Sequence, residues 1–470
     1  MDSLLDKREV FYDMKTKKRL TWPELLVVAS TLFGMFFGAG NIIFPVSMGQ
    51  LAGANSWQAA FGFAVTAVGL PLLAIVAMGL SHSDGVIEMS RKVSKGYSYF
   101  FTVAIYLTIG PFFAIPRTAT VSYEIGFASL VPVGQGELFL FIYSLIFFLM
   151  ALYFALRPNG VLDWVGKYLN PAFLVILAVI LVRAFLAPEI SVADVPATSA
   201  YETAPIAEGL IQGYNTMDGL AALAFGIIVI RSIRSIGVTE PQSLARETIK
   251  SGALSLSFMV LIYVGLTALG AQSIGFTNIA PNGGLALAEI THYYFGSLGQ
   301  ILLAIMMLVA CLKTAIGLII ALAETFTELI PGKMGLRSWT LVATLVSFLV
   351  ANIGLESIIS LSLPVLMLLY PLAITLILMH LMEPLVKSRE IYVTVTFFTF
   401  IAALFDMLKA APEFIYQLLN GDFFIQLAEQ YLPLFDIGFG WIVPATIGLV
   451  IGLMLTFMRG SNESASRKAA

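Results

Sequence analysis

Apolar and polar positions alternate along this chain on the scale of whole segments. Runs of about 20 apolar residues, the length that crosses a bilayer as a helix, are separated by short polar stretches. Twelve runs meet that length, at about 22–45, 58–80, 97–121, 137–156, 169–187, 207–230, 251–272, 297–325, 339–354, 359–381, 391–408 and 438–458. Two of them are interrupted. The first is broken at Gly38-Ala39-Gly40-Asn41 and then meets Pro45; the sixth is broken at Gly213-Tyr214-Asn215-Thr216-Met217-Asp218-Gly219. Glycine permits unwound backbone and proline removes a hydrogen-bond donor, so both runs read as helices broken at membrane depth. Off-helix backbone survives there only where protein or a polar cavity covers it.

The two interruptions set the expected architecture. Span one starts on one side of the membrane and span six on the other, so five helices are followed by five of opposite orientation. The predicted fold is an all-α polytopic membrane protein with 12 transmembrane helices. It is a 5+5 inverted repeat with discontinuous helices 1 and 6, plus two C-terminal helices. The boundaries are an N-terminal tail 1–21, a first repeat 22–187, an acidic outer loop 188–206, a second repeat 207–381, a C-terminal pair 382–458 and a tail 459–470. Outer loop 409–437 lies within the C-terminal pair, and its amphipathic spacing predicts short helices lying on the outer surface. Loop 188–206 is expected to be mostly irregular. Discontinuous helices heading each half imply a carrier whose site lies between the two breaks.

Charge placement agrees with this count. Of 470 residues, 59% are hydrophobic and only 12% charged, about half the charged share of a soluble domain. With the N-terminus inside, the inner segments hold Lys7, Arg8, Lys15, Lys17, Lys18 and Arg19, then Arg91, Lys92 and Lys95, and further clusters through Lys333, Lys387 and Arg467. Only Arg117, Arg183, Lys313 and Lys409 fall elsewhere, while the outer loops carry Glu189, Asp194, Glu202, Glu413, Asp422 and Glu429. Both termini are therefore expected in the cytoplasm. Trp22, Trp57, Trp164, Trp339 and Trp441 fall at span starts, where an indole suits the headgroup layer. Cys311 stands alone, and His82, His292 and His380 are far apart, so neither a disulfide nor a metal cluster is suggested. No catalytic cluster, pore-lining ring or nucleic-acid motif is evident, which argues against a membrane enzyme, a channel or a nucleic-acid partner.

Several stretches resemble the bacterial branched-chain amino acid carrier family, the cation-coupled leucine/isoleucine/valine symporters of the amino acid–polyamine–organocation superfamily. They are GMFFGAGNIIFPVSMGQLAG at 34–53, GFAVTAVGLPLLAIVA at 62–77, GPFFAIPRTATVSYEIG at 110–126, GYNTMDGLAALAFG at 213–226 and ACLKTAIGL at 310–318. The resemblance implies import of leucine, isoleucine and valine with Na⁺ or H⁺ across the bacterial inner membrane. It implies a small-molecule substrate and the lipid bilayer as partners, with no cofactor and no obligate protein partner. A carrier of the same fold for another neutral amino acid or small solute is the alternative.

The resemblance also assigns residues. Gly38, Ala39, Gly40 and Asn41 would bind the substrate carboxylate, and Tyr214, Asn215, Thr216 and Asp218 would meet its ammonium and shape the pocket. Free N–H groups at the start of a half-helix suit a carboxylate and free carbonyls suit a cation. Asn41 and Asp218 have a plainer reading as caps of the second half-helices. Na⁺ would lie at Gly34, Phe37, Asn41 and Thr314. Lys313 departs from that pattern, because an ammonium has no acceptor and cannot bind Na⁺. It could stand in for the ion or carry a coupling proton; otherwise it pairs with Glu324 or Asp218. Arg117, inside span three, reads as a gate or structural ion pair with Glu124, Asp218 or Asp406, as a side chain reaching outward to the headgroups, or as a direct substrate contact.

Overall fold

The computed structural model describes residues 19–469 except 82, 84, 129, 130, 133, 158–160, 187, 333 and 383–387. Lys7, Arg8, Lys15, Lys17, Lys18, His82, Lys333 and Lys387 lie outside the described residues. Among the described residues every regular element is helical. The first expected span is a pair, α1 (Trp22–Phe36) and α2 (Gly40–Ala52), and the second is α3 (Ser56–Ala64) continued by α4 (Leu70–Leu80). Span three is α5 (Lys95–Leu107) and α6 (Ala114–Gly126), followed by α7 (Gly136–Ala155) and α8 (Val161–Leu186). The second half begins with the pair α9 (Pro205–Tyr214) and α10 (Asp218–Ser235), then α11 (Pro241–Ser273), α12 (Gly283–Leu329), α13 (Leu336–Ala351) and α14 (Leu355–Leu381). The C-terminal part holds α15 (Arg389–Lys409), short α16 (Glu413–Leu418) and α17 (Gly421–Tyr431), and α18 (Ile442–Ala469).

Seven helical runs are long and apolar enough to cross a bilayer by length and composition, and the bent pair α9–α10 would make an eighth. Two of the seven are about twice the length of one crossing: Gly40–Leu80 has 41 residues and Gly283–Leu329 has 47. At 1.5 Å per residue these would extend about 60 and 70 Å, twice the hydrocarbon core. Both contain a backbone break of the kind that divides them. Gly53 adopts φ +47°, and Gly296, inside α12, adopts φ 61° and ψ −159°. Shorter apolar helices occupy Trp22–Gly34, Leu174–Leu186, Leu336–Ala351 and Ile442–Met458. The outward face of α7 is apolar, with Leu138, Phe139, Phe141, Ile142, Ile146 and Leu149 all exposed, as suits a surface bathed by acyl chains rather than water.

Four features depart from the sequence expectations. A further interruption lies in span three, where a wide turn over Thr108–Phe112 contains Pro111 and non-helical Gly110 (φ −96°, ψ −125°). A Cβ at Gly110 would lie 2.5 Å from Leu322 Cδ1, so this bend is packed directly on α12. Ahead of span eight, which starts after the Gly296 kink, α12 has an additional helical segment from Gly283, capped by Asn282, whose Oδ1 accepts from the Gly284 and Leu285 amides at 3.0 Å each. Pro45 does not end the first span; it sits inside α2. Trp441, directly before α18, is buried by protein, whereas Trp22 and Trp57 are exposed at the starts of their helices. The amphipathic segments of 409–437 form α16 and α17, with Phe414, Leu418, Phe423 and Tyr431 exposed. Loop 188–206 holds only short 3-10 turns at Val192–Asp194 and Ser199–Tyr201.

The two broken pairs sit in matching surroundings. Both α1 and α2 pack on α11, while α9 packs on α3 and α10 on α4. Close approach is achieved by glycine: a Cβ at Gly270 of α11 would lie 2.1 Å from the Val46 carbonyl of α2, and one at Gly209 of α9 would lie 2.1 Å from the Ala59 carbonyl of α3. Helices in lipid gain cohesion from such backbone contact because acyl chains compete for every apolar side chain.

Candidate functional site

The break in span one begins at Phe37, which leaves the helix with φ −76° and ψ 96° while its N–H still reaches the Phe33 carbonyl at 2.8 Å. The helix resumes at Gly40. Asn41 then ties three pieces of chain together while only 2% exposed. Its Oδ1 accepts from the Gly38 N–H at 3.0 Å, and its Nδ2 donates to Asp218 Oδ2 and to Tyr263 Oη, each at 2.5 Å. Asn41 lies inside α2 rather than at its cap, which is Ala39 without a side-chain hydrogen bond; its amide instead ties back to the break at Gly38 and crosses to α10 and α11. Four residues on, Pro45 has no N–H to offer the Asn41 carbonyl, so α2 keeps an acceptor outside its own ladder.

The break in span six is built around a left-handed residue that is not glycine. Met217 holds φ 64° and ψ 10° between α9 and α10, a conformation disfavoured for a side chain with a Cβ and sustained here by burial. Asp218 opens α10, and its N–H donates to Thr216 Oγ1 at 3.3 Å. Tyr214 stacks on Tyr370 of α14 with ring centroids 4.1 Å apart and planes 12° apart. The Tyr214 hydroxyl and Asn215 Oδ1 are buried without a hydrogen-bond partner. Buried polar atoms of this kind usually find a partner, and a polar solute would supply one.

Arg117 joins the two breaks. It is 4% exposed, so it does not reach outward to the headgroups. Its Nη1 donates to the Asn215 carbonyl at 2.5 Å and its Nη2 to the Thr216 carbonyl at 3.4 Å. Its Cζ lies 5.1 Å from the centroid of the Phe44 ring in α2, within cation–π range. A Cβ on Gly40 would come within 3.1 Å of Nη2. Asp218 lies in the field of this guanidinium, yet the hydrogen bonds run to carbonyl oxygens. The anticipated tie to an acid is thus a tie to the carbonyls that the break leaves outside the helix ladder. The bend at Gly110-Pro111 precedes α6, which carries Arg117 between the two breaks.

A second polar locus lies beside the first. A cavity of about 230 Å³ is lined by Gly34, Phe37, Phe225, Ile228, Lys313 and Thr314, among others. Gly34, Phe37, Lys313 and Thr314, singled out from sequence, thus share one wall system. Asn41 is not among its lining residues, its amide being spent on Gly38, Asp218 and Tyr263. Thr314 Oγ1 donates to the Ala310 carbonyl at 3.1 Å, which leaves its lone pairs for another donor or a cation. Lys313 is half-buried there. Among the described residues, no group of three or more His, Cys, Asp or Glu is arranged to hold a metal.

Sequence reasoning did not find Tyr263 or Tyr370, which hold the site from behind. Tyr263 packs its ring against Phe63 and Phe37, with centroids 5.1 and 6.4 Å away. Each is one aromatic residue in an apolar run, and nothing local distinguishes it from lipid-facing neighbours. Phe225 lines the cavity, and Tyr106 meets it edge-on at 6.0 Å.

Comparison with known proteins gives a consistent picture. A family model described as Branched-chain amino acid transport protein matches residues 22–459. The Branched-chain amino acid permease BrnQ of Lactobacillus delbrueckii subsp. lactis is 48% identical over 434 residues, covering 92% of this chain and 96% of that protein. The Branched-chain amino acid permease BraB of Bacillus subtilis is 39% identical, covering 95% of this chain and 98% of that protein. Among solved structures, the nucleobase-cation-symport-1 transporter Mhp1, closed with bromovinylhydantoin bound, superposes with a TM-score of 0.60 at 13% identity over 93% of both chains. MhsT in complex with L-phenylalanine gives 0.54 at 14% identity over 93% of this chain and 98% of that one. The structural likenesses establish the fold alone.

Proposed function

The chain belongs to the branched-chain amino acid transport protein family, and from that membership we propose that it imports leucine, isoleucine and valine across the bacterial inner membrane by symport with Na⁺ or H⁺. The observation that carries the proposal is the junction of two broken helices, where Asn41 of one meets Asp218 of the other in a buried polar seam. A bilayer tolerates unwound backbone only where it is covered or put to use, and paired breaks at midplane suit a zwitterion. The amides at the start of α2 favour the carboxylate. The carbonyls of Asn215 and Thr216, with Asp218, favour the ammonium. The branched side chain would be held by apolar surface, and one methylene separates two such substrates by only about 1–3 kcal/mol, so overlapping use of all three is expected.

The coupling ion is assigned to the neighbouring cavity. In a Na⁺-coupled cycle the carbonyls of Gly34 and Phe37 and the Thr314 hydroxyl would be oxygen ligands, with Asn41 nearby. In an H⁺-coupled cycle Lys313 would act as the tethered cation. Its half-buried position beside Gly34 and Phe37 supports the second arrangement. Twelve spans, ten in two inverted repeats of five and two C-terminal, with both termini cytoplasmic, complete the reading. Packing of the first pair on span seven and of the sixth on span two is the exchange expected of a two-fold that maps each span onto the one five later.

The test is concentrative uptake of labelled leucine in proteoliposomes with Na⁺ and H⁺ gradients imposed separately. Accumulation driven by either gradient, and competed by unlabelled isoleucine and valine, is expected. Accumulation of another solute but not leucine would leave the fold intact and refute the substrate. Conductance without accumulation would refute symport.

A further inference from the structure

We propose that Arg117 occupies the seat of the substrate ammonium in this conformation, so that each transport cycle exchanges a guanidinium for an ammonium on the same carbonyls; this rests on the amino acid carrier reading above. The Asn215 and Thr216 carbonyls lie at the break in span six, where they are the natural receptors for a cation inside the membrane. Here they receive one, from Nη1 at 2.5 Å and Nη2 at 3.4 Å. The guanidinium also fills the gap between the breaks, because its Nη2 would lie only 3.1 Å from a Cβ at Gly40 and its other face is covered by Phe44. A zwitterion cannot span Gly38–Asn41 and the two carbonyls while that group stays in place.

The hold on Arg117 is of a kind that can be exchanged. Its partners are neutral carbonyls and a phenyl face, not the fork-to-fork carboxylate pairing that fixes arginine most firmly. Displacement by an ammonium also conserves charge. Asp218 lies in the field of Arg117, and an arriving ammonium would take over that field, so the carboxylate is never left alone in a low dielectric. A solute lacking an ammonium could displace Arg117 only by leaving both carbonyls bare, which buried acceptors resist. Arg117 is thus a positioning residue that makes the amino group a condition of entry.

Equilibrium binding of labelled leucine to the purified full chain in nanodiscs tests this, comparing wild type with Arg117→Gln and Phe44→Leu. If Arg117 competes with substrate, the apparent Kd of wild type is raised by the fraction of molecules it blocks. Arg117→Gln should then bind leucine on the order of tenfold more tightly. Phe44→Leu, which loosens the guanidinium without removing it, should tighten binding by a smaller factor. A structural brace or a direct ligand of the carboxylate predicts the reverse, so equal or weaker binding by folded Arg117→Gln overturns the proposal. Should that variant fail to fold, Phe44→Leu decides alone, on the same sign. Failure of wild type and Phe44→Leu alike to bind leucine would refute the carrier reading, and this inference with it.

Discussion

Asn41→Asp is the sharpest perturbation of the seam between the breaks, because it keeps the shape and replaces a donor by an acceptor. In the wild type the Asn41 Nδ2 donates to Asp218 Oδ2 and to Tyr263 Oη, both at 2.5 Å. Tyr263 has a hydroxyl proton and can turn donor toward the new carboxylate. An ionised Asp218 cannot, so that contact becomes oxygen against oxygen. Loss of a hydrogen bond to a charged group removes about 1.5–3 kcal/mol, and a buried group left unsatisfied adds about 1–3 kcal/mol. The two together amount to about 2–4 powers of ten at about 1.4 kcal/mol for each. Initial rates of leucine uptake in proteoliposomes, normalised to folded carrier by size-exclusion profile, should fall by at least a hundredfold at pH 7 by this reckoning. Asn41→Ser isolates the Gly38 contact, since its short hydroxyl suits the local cap but not the crossing to α10, and it should lose activity through the same crossing. Uptake by Asn41→Asp within threefold of wild type would refute the argument, since it would mean that Asn41 does not act as a donor to an ionised Asp218 in any state that limits transport.

Other expectations follow from the same geometry. Tyr263→Phe removes one Asn41 partner while preserving the ring contacts with Phe63 and Phe37; a loss of about 1 kcal/mol should appear as roughly fivefold weaker leucine binding, and unchanged binding would place Tyr263 outside the seam. Lys313→Thr puts a hydroxyl beside Thr314 in place of an ammonium, and the ratio of uptake in Na⁺ to that in N-methyl-D-glucamine should rise; an unchanged ratio would remove Lys313 from the ion's place. Gly270→Leu must fit a Cβ that would lie 2.1 Å from the Val46 carbonyl, so thermal stability in detergent should drop sharply. By contrast Gly96→Ala meets nothing within 4 Å and should hold or raise the midpoint, the helical gain being about 0.5–1 kcal/mol; equal effects of the two substitutions would contradict the packing described between α2 and α11.

How much was legible in the sequence differs between the fold and the site. The break at 213–219 was visible because polar residues and two glycines interrupt an apolar run, and the break at Gly38–Asn41 for the same reason. The bend at Gly110-Pro111 was not, although a proline marked it, because proline alone does not tell a kinked helix from a continuous one. Pro45 makes the point in reverse: it sits inside α2 and leaves the helix intact. Lys313, Thr314, Gly34 and Phe37 were grouped through resemblance, and they do line one cavity. The partners of Arg117 were sought among acids, because acids are the partners a sequence displays. Backbone carbonyls freed by a distant turn carry no residue type that could announce them.

Sequence alone determined the all-helical membrane class, the two principal breaks and the family, because hydrophobic run length and local backbone chemistry act over a few residues. The tertiary structure decided which groups meet. It brought Asn41 to Asp218 across 177 positions of chain, set Tyr263 behind them, turned Arg117 inward onto Asn215 and Thr216, and buried Trp441. The physical reason is that desolvation is a property of the assembled helices. Whether an arginine reaches outward or seals a break depends on which neighbours have already excluded water and left an acceptor unpaired, and only the packed structure specifies that.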